Sequence, residues 1–389
     1  MSVRSVAHLD LDSFYVSVER LRNSKLVGIP VIIGWDSERG VVASCSYEAR
    51  AFGVRSAMPV KKAKQLCPKA IIVRGDMNIY SHYSHMVTDI IAEKAPLWEK
   101  ASIDEHYIDI TGLDKFYGNF KWTKELKEFI IKNTGLPISF GLSVNKTVAK
   151  IATNEIKPSG ELYIEAGRVN EFLDPMPVKK IPMLGKHTCE LLNSKGIYDI
   201  KTLRLTHVAF LEKMLGKNGR ILWEKANGID ETPVLSNHER KSISTEITFE
   251  YDIDDIGKIN SLLSGMVEKL AYRLRKNKFL TSCVAVKIRY SDFETATFQK
   301  QVPYTAFDHI LTPAVKDIFE KSYRKNNLIR LIGVKFTNLV HGEPQLNLFE
   351  DTQEMLSLYK SLDDIKDKFG EDIISRSASK TEWKRGEDS

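Results

Sequence analysis

The sequence predicts an α+β protein built of several domains. A strand-and-helix pattern runs through about the first 165 residues, short helices punctuated by glycines follow over residues 169–229, and a second strand-and-helix pattern occupies residues 243–338. The length of 389 residues suits two to four domains. No run of eighteen apolar residues is present and the start does not read as a signal peptide, so no membrane partner is expected.

The first pattern combines buried runs that end at glycine or polar residues with apolar residues at helical spacing. The predicted strands are 3–11, 30–34, 41–44, 101–110 and 138–142. The predicted helices are 14–21, 59–66, 77–93, 123–133 and 146–155.

The second pattern predicts the order β-α-β-β-α-β with both helices on one face of a sheet. Its predicted strands are 243–249, 284–290, 298–302 and 332–338, and its predicted helices are 259–276 and 305–321. A short amphipathic helix follows between Met355 and Phe369. Two heptads are too few for a coiled coil, so this helix is expected to dock on its own domain.

Charge is distributed unevenly along the chain. Residues 341–389 carry 7 Lys/Arg and 12 Asp/Glu, whereas residues 240–340 carry 17 Lys/Arg and 11 Asp/Glu. A basic body with an acidic tail favours a polyanionic partner such as nucleic acid. The four cysteines lie far apart without a C-x-x-C pair, which argues against a zinc site and predicts a cytoplasmic location.

Carboxylates are concentrated at two predicted strand ends. Asp10 and Asp12 alternate onto one face of the first strand, and Asp104 and Glu105 open a later one. Carboxylates from distant parts of the chain suit Mg²⁺, which prefers oxygen ligands. Each pair alone also fits a solvated loop or a helix cap. The D-x-D pattern further fits a haloacid-dehalogenase-like phosphohydrolase, with Asp10 as nucleophile and Asp12 as acid, or a nucleotide cyclase.

The motifs LDLDSFYVSVE at residues 9–19 and S-I-D-E at residues 102–105, taken with those below, resemble the Y-family translesion DNA polymerases, most closely the bacterial DNA polymerase IV type. The resemblance covers nearly the whole chain. It implies a right-hand polymerase with a ferredoxin-like palm, small fingers, a helical thumb and an α/β little finger. The implied boundaries are 1–12 and 76–165 for the palm, 13–75 for the fingers, 166–236 for the thumb, 237–340 for the little finger and 341–389 for the tail.

The resemblance implies a catalytic site of three acids and two Mg²⁺ ions, with Mn²⁺ able to substitute. Asp10 would hold both ions, and the backbone carbonyl of Leu11 would complete one coordination shell. Asp104 would bridge the ions, and Glu105 would serve the ion that activates the primer 3′-hydroxyl. Asp12 matches an acidic residue of the family that is not a ligand.

Residues that would bind the nucleotide follow from the same resemblance. Tyr15 lies at the position of the steric gate, where a ring under the sugar excludes a 2′-hydroxyl. Tyr47 and Arg50, three residues apart on a helix face, would grip the triphosphate, and Lys157 would be a further phosphate ligand. The small residues of the stretch 40–44 would roof the base pair and leave the site roomy, which implies tolerance of damaged templates.

Two segments are similar to the DNA-binding parts of the family. Residues 181–197 resemble the helix-hairpin-helix of the thumb, with Gly185 and Lys186 at the phosphate contact and Met183 in place of the first glycine. Arg240 and Lys241 match the opening of the little finger. Its basic residues would give sequence-independent, salt-sensitive binding, and the largest cluster of them is Arg273, Arg275, Lys276 and Lys278.

A last motif, residues 345–349, is similar to the peptide that binds the bacterial sliding clamp, with contacts expected from Gln345, Leu346, Leu348 and Phe349. The resemblance as a whole implies low-fidelity, template-directed synthesis from dNTPs on primer–template DNA, by a monomer without proofreading. Two rival hypotheses remain at this point: a phosphohydrolase, and a catalytically silent relative that binds DNA and the clamp.

Overall fold

A computed structural model of the protein describes residues 4–115, 118–236, 239–342, 352–371 and 373–377. The chain divides into two compact units, Met1–His238 and Glu239–Ser389. Each unit has a hydrophobic core of its own, and we describe each by itself.

The first unit combines two sheets with eleven helices among its described residues. In chain order its elements are β1 (Val6–Leu11), α1 (Phe14–Arg22), β2 (Val31–Gly34), β3 (Val42–Cys45), α2 (Tyr47–Ala51), α3 (Val60–Leu66), β4 (Ile71–Val73), α4 (Met77–Lys94), β5 (Leu97–Lys100), β6 (Glu105–Asp109), α5 (Asn119–Thr134), β7 (Ile138–Ser143), α6 (Lys146–Glu155), β8 (Glu161–Tyr163), α7 (Val169–Leu173), α8 (Lys186–Asn193), α9 (Ile200–Leu205), α10 (Val208–Leu215) and α11 (Lys217–Ala226).

The larger sheet of this unit has the order β5-β6-β1-β7-β8 and places β1 at its centre. β1 runs antiparallel to both of its neighbours, β6 and β7, whereas β7 and β8 are parallel. All six residues of β1 are buried, because strands flank both its edges and helix α6 contributes to the layer that covers the sheet. The carboxylates at the end of β1 are therefore held on a rigid floor.

Local capping explains where several of these helices start. The Asp76 side chain accepts hydrogen bonds from the first N–H groups of α4, and Asn145 does the same at α6. Helix α1 differs, because its preceding residue Ser13 adopts a left-handed conformation (φ 44°) and no side chain caps the helix. The first turn of α1 thus begins directly after the end of β1.

The remaining part of the first unit contains a small sheet and a helical segment. The small sheet has the order β3-β2-β4, with β2 antiparallel to β3 and parallel to β4. Helices α7–α11 pack around a core that includes Leu173, Leu192, Leu203 and Leu211, which is the succession of short helices expected from the glycine-punctuated sequence.

The second unit has the predicted β-α-β-β-α-β order. Its elements are β9 (Ser242–Ile253), α12 (Ile256–Lys276), β10 (Phe279–Tyr290), β11 (Thr295–Thr305), α13 (Asp308–Ser322), β12 (Ile329–His341) and a further helix α14 (Thr352–Phe369). The strands form an antiparallel sheet of order β11-β10-β12-β9, and α12 and α13 bury its apolar side chains. The predicted docking of the tail helix is confirmed, because Tyr359 of α14 is only 2% exposed and packs on Phe307.

Three differences from the predicted elements concern short segments. The predicted strand 101–110 is wrong in its first half, where residues 101–104 form the turn between β5 and β6. A carboxylate-rich stretch cannot be told from a strand end by alternation alone. The short elements β4, β5 and β8 were not predicted, since three or four residues carry little periodicity. No helix in the described part of the chain is long and apolar enough to cross a membrane.

Candidate active site

The central strands place two of the predicted acids opposite each other. Asp10, near the end of β1, is the cross-strand partner of Glu105, the first residue of β6. Asp10 is buried and Glu105 is partly buried. The antiparallel register therefore joins two acids that are far apart in the sequence, as the motif pattern predicted.

The third acid, Asp104, lies in the β5–β6 turn beside them. The Ser102 hydroxyl donates a 2.6 Å hydrogen bond to Asp104 Oδ1 and accepts one from the N–H of Glu105 at 3.1 Å. The Leu11 N–H donates to the Asp104 carbonyl at 3.1 Å, which ties this turn to the end of β1. The backbone of Asp104 and Leu11 is thus fixed beside Asp10.

Two lysines neutralise these carboxylates. Lys157 Nζ lies 2.5 Å from Asp10 Oδ1, and Lys150 Nζ lies 2.5 Å from Glu105 Oε2. Burial raises the pKa of Asp10, as do the carboxylates of Glu105 and Asp104, while Lys157 opposes the rise. Burial also works against the charge of Glu105, but the hydrogen bond and the charge of the Lys150 ammonium hold its pKa below the ordinary value. The cluster carries negative charge that requires cations.

A buried imidazole extends this acidic cluster. His8 lies two residues before Asp10 on the same face of β1, and its Nδ1 is 2.9 Å from the Thr153 hydroxyl oxygen. Its Nε2 is 3.8 Å from Glu105 Oε2 and has no hydrogen-bond partner among the described residues. Burial lowers the pKa of His8, which keeps the ring neutral. One ligand atom each from His8, Asp10 and Glu105 lie within 4.8 Å of one another.

The donor set fits a divalent cation. Carboxylate oxygens are the ligands that Mg²⁺ and Mn²⁺ accept, and the unpartnered His8 Nε2 is a buried polar atom of the kind that a bound water or ion satisfies. Each of the two close carboxylates holds a lysine ammonium, which shows that a positive charge is accommodated there. The residues present therefore fit the ions that the sequence motifs imply.

Asp12 has a structural role and is not a ligand here. Both of its carboxylate oxygens accept bonds from the Ser139 hydroxyl, at 2.9 and 2.8 Å, and Oδ2 also accepts the Ser159 N–H at 2.7 Å. The Tyr47 hydroxyl donates to Oδ1 at 3.2 Å. Asp12 thus links the end of β1 to α2 and to the segment that carries Lys157.

The side chains predicted to bind the triphosphate come from the two segments that Asp12 links, α2 and the segment that carries Lys157. Tyr47 and Arg50 share one face of α2, as predicted, and the Arg50 guanidinium carbon is 4.6 Å from the Tyr47 ring centroid. Burial and the Asp12 carboxylate raise the pKa of Tyr47, so its hydroxyl remains a donor. Lys157 is held on Asp10 instead of projecting freely.

Tyr15 is fixed by a second aromatic ring. It lies in the first turn of α1 and stacks on Tyr80 of α4, with ring centroids 4.2 Å apart and planes 13° from parallel. The Tyr80 hydroxyl in turn donates to Glu19 at 2.8 Å. The stack with Tyr80 therefore restricts the movement of the Tyr15 ring.

Comparison with known proteins finds relatives over nearly the whole chain. The impB/mucB/samB family model matches residues 9–154, and the model of its C-terminal domain matches residues 240–348. The chain is 36% identical to DNA polymerase IV of Dehalococcoides mccartyi, with 95% of this chain and 96% of the relative covered. It is 34% identical to DNA polymerase IV of Desulfatibacillum aliphaticivorans over 98% of each chain.

A solved structure shows the same architecture. A Y-family DNA polymerase chimera superposes with a TM-score of 0.78 at 27% identity, covering 87% of this chain and all of that one. The chain belongs to the Y-family DNA polymerases. The predicted right-hand polymerase fold is confirmed, and this polymerase is of the DNA polymerase IV type.

The segment predicted to form a helix-hairpin-helix contains a turn residue, Met183, in a left-handed conformation. Met183 has φ 70°, a conformation that glycine adopts most easily, and its side chain is 97% exposed. Gly185 precedes α8 in an extended conformation and Lys186 is the first residue of that helix, which has no side-chain cap. The first N–H groups of α8 are thus free of a side-chain acceptor.

The structure describes some of the second-unit residues that were predicted to bind DNA or the clamp. Arg240 and Lys241 are exposed, and both line a cavity of about 640 Å³ together with Phe279 and His341. In the cluster of Arg273, Arg275, Lys276 and Lys278, the first three cations are paired with carboxylates of the tail, and its DNA contact stays a prediction. The clamp-binding motif, residues 345–349, lies outside the described residues.

Sequence reasoning missed three side chains of the polymerase site. Lys150 could have been predicted from the sequence. It lies four residues after Lys146, on the same face of α6, and α6 covers the sheet that carries the acids. His8 was available from its alternation with Asp10. Tyr80 carried no signal, since its contact with Tyr15 depends on how α4 packs against α1.

Proposed function

We propose that this DNA-directed DNA polymerase extends a primer by nucleotidyl transfer assisted by two divalent ions, and that it copies damaged templates. The observation that carries the proposal is the pairing of Asp10 with Glu105 across β1 and β6, with a lysine ammonium on each carboxylate. Carboxylates so close together need positive charge. Divalent ions would supply it, and they would also assist phosphoryl transfer.

Asp10, Asp104, Glu105 and the Leu11 carbonyl would hold the ions, with Mg²⁺ expected and Mn²⁺ able to replace it. The ions, when bound, supply activation of the primer 3′-hydroxyl and charge neutralisation at the transferred phosphate. The protein contributes rigidity, because β1 and the Ser102 turn fix the acids before any ligand arrives. Lys150 and Lys157, which contact these carboxylates in the structure, would be available for other contacts in the loaded site.

Lys157, Tyr47 and Arg50 are proposed to receive the triphosphate. Once freed from Asp10, the Lys157 ammonium lies near enough to meet a phosphate oxygen beside the same carboxylate. The Tyr47 hydroxyl and the Arg50 guanidinium offer donors from one helix face. The uncapped first turn of α1 adds backbone N–H groups, which favour anions. Such preorganised donors contribute on the order of 3 kcal/mol each to the transition state.

Tyr15 is proposed as the steric gate against ribonucleotides. Its ring cannot retreat easily, because Tyr80 stacks against it at 4.2 Å. Weak shape selection is proposed for the base, since Val41 and Ala43 of the small-residue stretch are exposed and carry little bulk. These two features together favour a polymerase that rejects the wrong sugar but accepts a distorted base.

Primer extension by Asp104→Ala tests the metal assignment. We expect extension to fall by about 1000-fold or more, because the loss of a charged ligand removes several kcal/mol of charge stabilisation. Binding of primer–template DNA, measured without divalent ions, should remain. The control is Asp89→Ala, which removes an exposed carboxylate from α4. Equal extension by wild type and Asp104→Ala would show that the assignment is wrong.

The rival hypotheses explain fewer observations. A haloacid-dehalogenase-like phosphohydrolase explains neither the pairing of Asp10 with Glu105 nor the basic composition of residues 240–340. Phosphate release from small phosphomonoesters without primer would favour it. A catalytically silent relative would not need Asp10 and Glu105 in register.

Several finer points belong to the same proposal. We propose synthesis without proofreading, as the resemblance implies. We propose a monomer in the cytoplasm, in keeping with four free cysteines.

We also propose that the segment Gln345–Phe349 binds the sliding clamp. The double variant Leu348→Ala with Phe349→Ala should abolish clamp capture but leave extension on short DNA unchanged.

A further inference from the structure

The tail helix presents a stripe of acids to a stripe of bases in the second unit. Asp363, Asp367 and Glu371 follow one another at intervals of four residues, which places the first two on one face of α14 and the third just after its end. They face the last turns of α12, which carry four cations: Lys269, Arg273, Arg275 and Lys276. Two charged stripes are matched along their length.

The individual pairs vary in quality along this contact. Arg275 forms two hydrogen bonds of 2.7 Å with Asp363, and its guanidinium also lies 4.5 Å from the centroid of the Tyr359 ring. Lys276 Nζ is 2.5 Å from Asp367 Oδ1. Glu371 is more distant, 3.7 Å from Arg273 and 3.8 Å from Lys269. Each cation of the stripe therefore has a carboxylate of the tail as its neighbour.

A buried anchor holds the helix in this position. Tyr359 stacks on Phe307 with planes 13° apart, and its hydroxyl contacts Asp308 and lies 2.8 Å from His309 Nδ1. Arg376 donates to Asp308 at 2.8 Å from the other end of the tail. These contacts hold α14 and its acids on the surface of the second unit.

The tail lies outside the part of the chain that the family models match. The C-terminal family model ends at residue 348, whereas α14 begins at Thr352. Without the tail, α12 would present four cations within eight residues, in a segment (residues 240–340) that carries 17 Lys/Arg against 11 Asp/Glu. Such a cluster binds phosphate backbones without regard to sequence.

We propose that α14 is an intrachain competitor of DNA. Its carboxylates occupy the basic stripe of α12, so that this surface does not bind the phosphate backbone although its composition suits that ligand. The stripe is a second nucleic-acid surface, masked in the intact chain. The proposal goes beyond catalysis, and it can fail without affecting the assignment of the acids at β1.

The test removes the three acids without removing the helix. The variant is Asp363→Asn with Asp367→Asn and Glu371→Gln. The control removes three carboxylates of the same unit that form no ion pair with a described residue: Glu320→Gln, Glu354→Gln and Asp364→Asn. Binding of the full-length proteins to labelled primer–template DNA is measured in EDTA between 50 and 300 mM salt.

We expect the test variant to bind at least tenfold more tightly than wild type near 50 mM salt. The slope of log K against log salt should steepen by about 3, since each freed phosphate contact adds about 0.9. The control variant has the same charge change and should alter affinity by less than threefold. The same affinity and slope for test and control would overturn the proposal.

A second pair of variants keeps the proposal testable if the first alters folding. Arg273→Gln with Lys276→Gln in the otherwise intact chain should leave DNA affinity and salt slope unchanged, because both cations are masked. When they are added to the variant that lacks the three tail acids, the same two changes should reverse most of its gain in DNA affinity. Weaker binding by the intact chain carrying these changes would show that the stripe already contacts DNA, which contradicts masking.

Discussion

Two clusters of paired charges, one in each unit, differ in what surrounds them. In the first unit Asp10 and Glu105 hold Lys157 and Lys150 at 2.5 Å; in the second, Asp363 and Asp367 hold Arg275 and Lys276 at 2.7 and 2.5 Å. The distances are alike, but the first cluster contains a buried imidazole nitrogen without a partner. The second cluster has stacking and bidentate geometry that complete it.

This difference indicates how a ligand site can be told from a structural contact. An ion pair at good distance stabilises whatever it joins, and it does not by itself mark a site. Buried carboxylates next to one another and an orphaned polar atom are costly, so their presence needs a reason such as a ligand. The cluster of Asp10 and Glu105 has that cost, and the cluster of Asp363 and Asp367 does not.

The largest expected effect is on the catalytic cluster. Glu105→Gln keeps the shape of the side chain but removes its charge, and we expect primer extension to slow by about 1000-fold. DNA affinity in EDTA should stay within twofold of wild type. Asp109→Asn, at the other end of β6, is the matched control and should extend at the wild-type rate. Similar losses in both variants would point to a damaged sheet and not to a lost ligand.

Changes in the cluster of Asp363, Asp367, Arg275 and Lys276 should alter the stability of tail docking and leave primer extension unchanged. Arg275→Ala leaves Asp363 partly buried without its partner, and we expect the loss of about 3 kcal/mol of the free energy of docking the tail. Lys276→Ala removes a cation that is 54% exposed and should change little. Hydrogen exchange in α14 measures both. Equal protection of α14 in the two variants would contradict the ranking.

A smaller effect tests an uncharged contact near the catalytic cluster. Tyr15→Ala should raise ribonucleotide insertion relative to deoxynucleotide insertion on the order of 100-fold, because the 2′-hydroxyl no longer meets a ring. Tyr80→Ala should raise it less, since Tyr15 remains but loses its stacking partner. Tyr80→Phe keeps the stack and should match wild type. The ratio of insertion efficiencies for paired nucleotides is the measurement, and no change in Tyr15→Ala would exclude the gate.

The smallest effect concerns pH and the tail anchor. Burial pushes the pKa of Asp308 upward, but hydrogen bonds from Arg376 and Tyr359 outweigh it and hold the pKa below its ordinary value. A lowered pKa means that the folded form prefers the carboxylate. Its contribution to stability is therefore complete above the unfolded value near 3.9 and is lost as pH falls through the folded value.

Asp308→Asn should remove this dependence. Wild type should lose up to about 1.4 kcal/mol per pH unit from this group below pH 4, and the variant should show a flatter curve there. The unfolding free energy of the second unit between pH 5 and 2.5 is the measurement. The partly exposed Asp317, whose pKa the ammonium groups of Lys300 and Lys321 also lower, provides the comparison variant Asp317→Asn. Parallel curves for wild type and Asp308→Asn would contradict the role of Asp308.

Sequence reasoning succeeded where a motif fixes both residue type and position. The long elements, the β-α-β-β-α-β order and the pairing of Asp10 with the residues at 104–105 followed from alternation and motif order. Tyr47 and Arg50 could be placed on one face because three residues separate them on a helix. Such features depend on contacts within a few residues, or on motifs with a known arrangement.

It failed where packing between distant segments decides. The pairing of α12 with α14 joins residues about 90 positions apart, such as Arg275 and Asp363, and neither stripe is marked by a motif. The DNA contact predicted for the cluster that includes Arg273 therefore took no account of its tail partners. Likewise, the positive φ of Met183 could not be foreseen, because methionine rarely adopts it and only the surrounding turn imposes it.

The central position of β1 also has a consequence for how the chain reaches its native state. Asp10 pairs with Glu105, 95 residues later, and with Ser139, 129 residues later. Pairings between such distant segments raise the contact order and slow folding. During synthesis the first strand emerges long before either neighbour, so its apolar residues must wait unpaired, and the catalytic floor can assemble only after β7 has been translated.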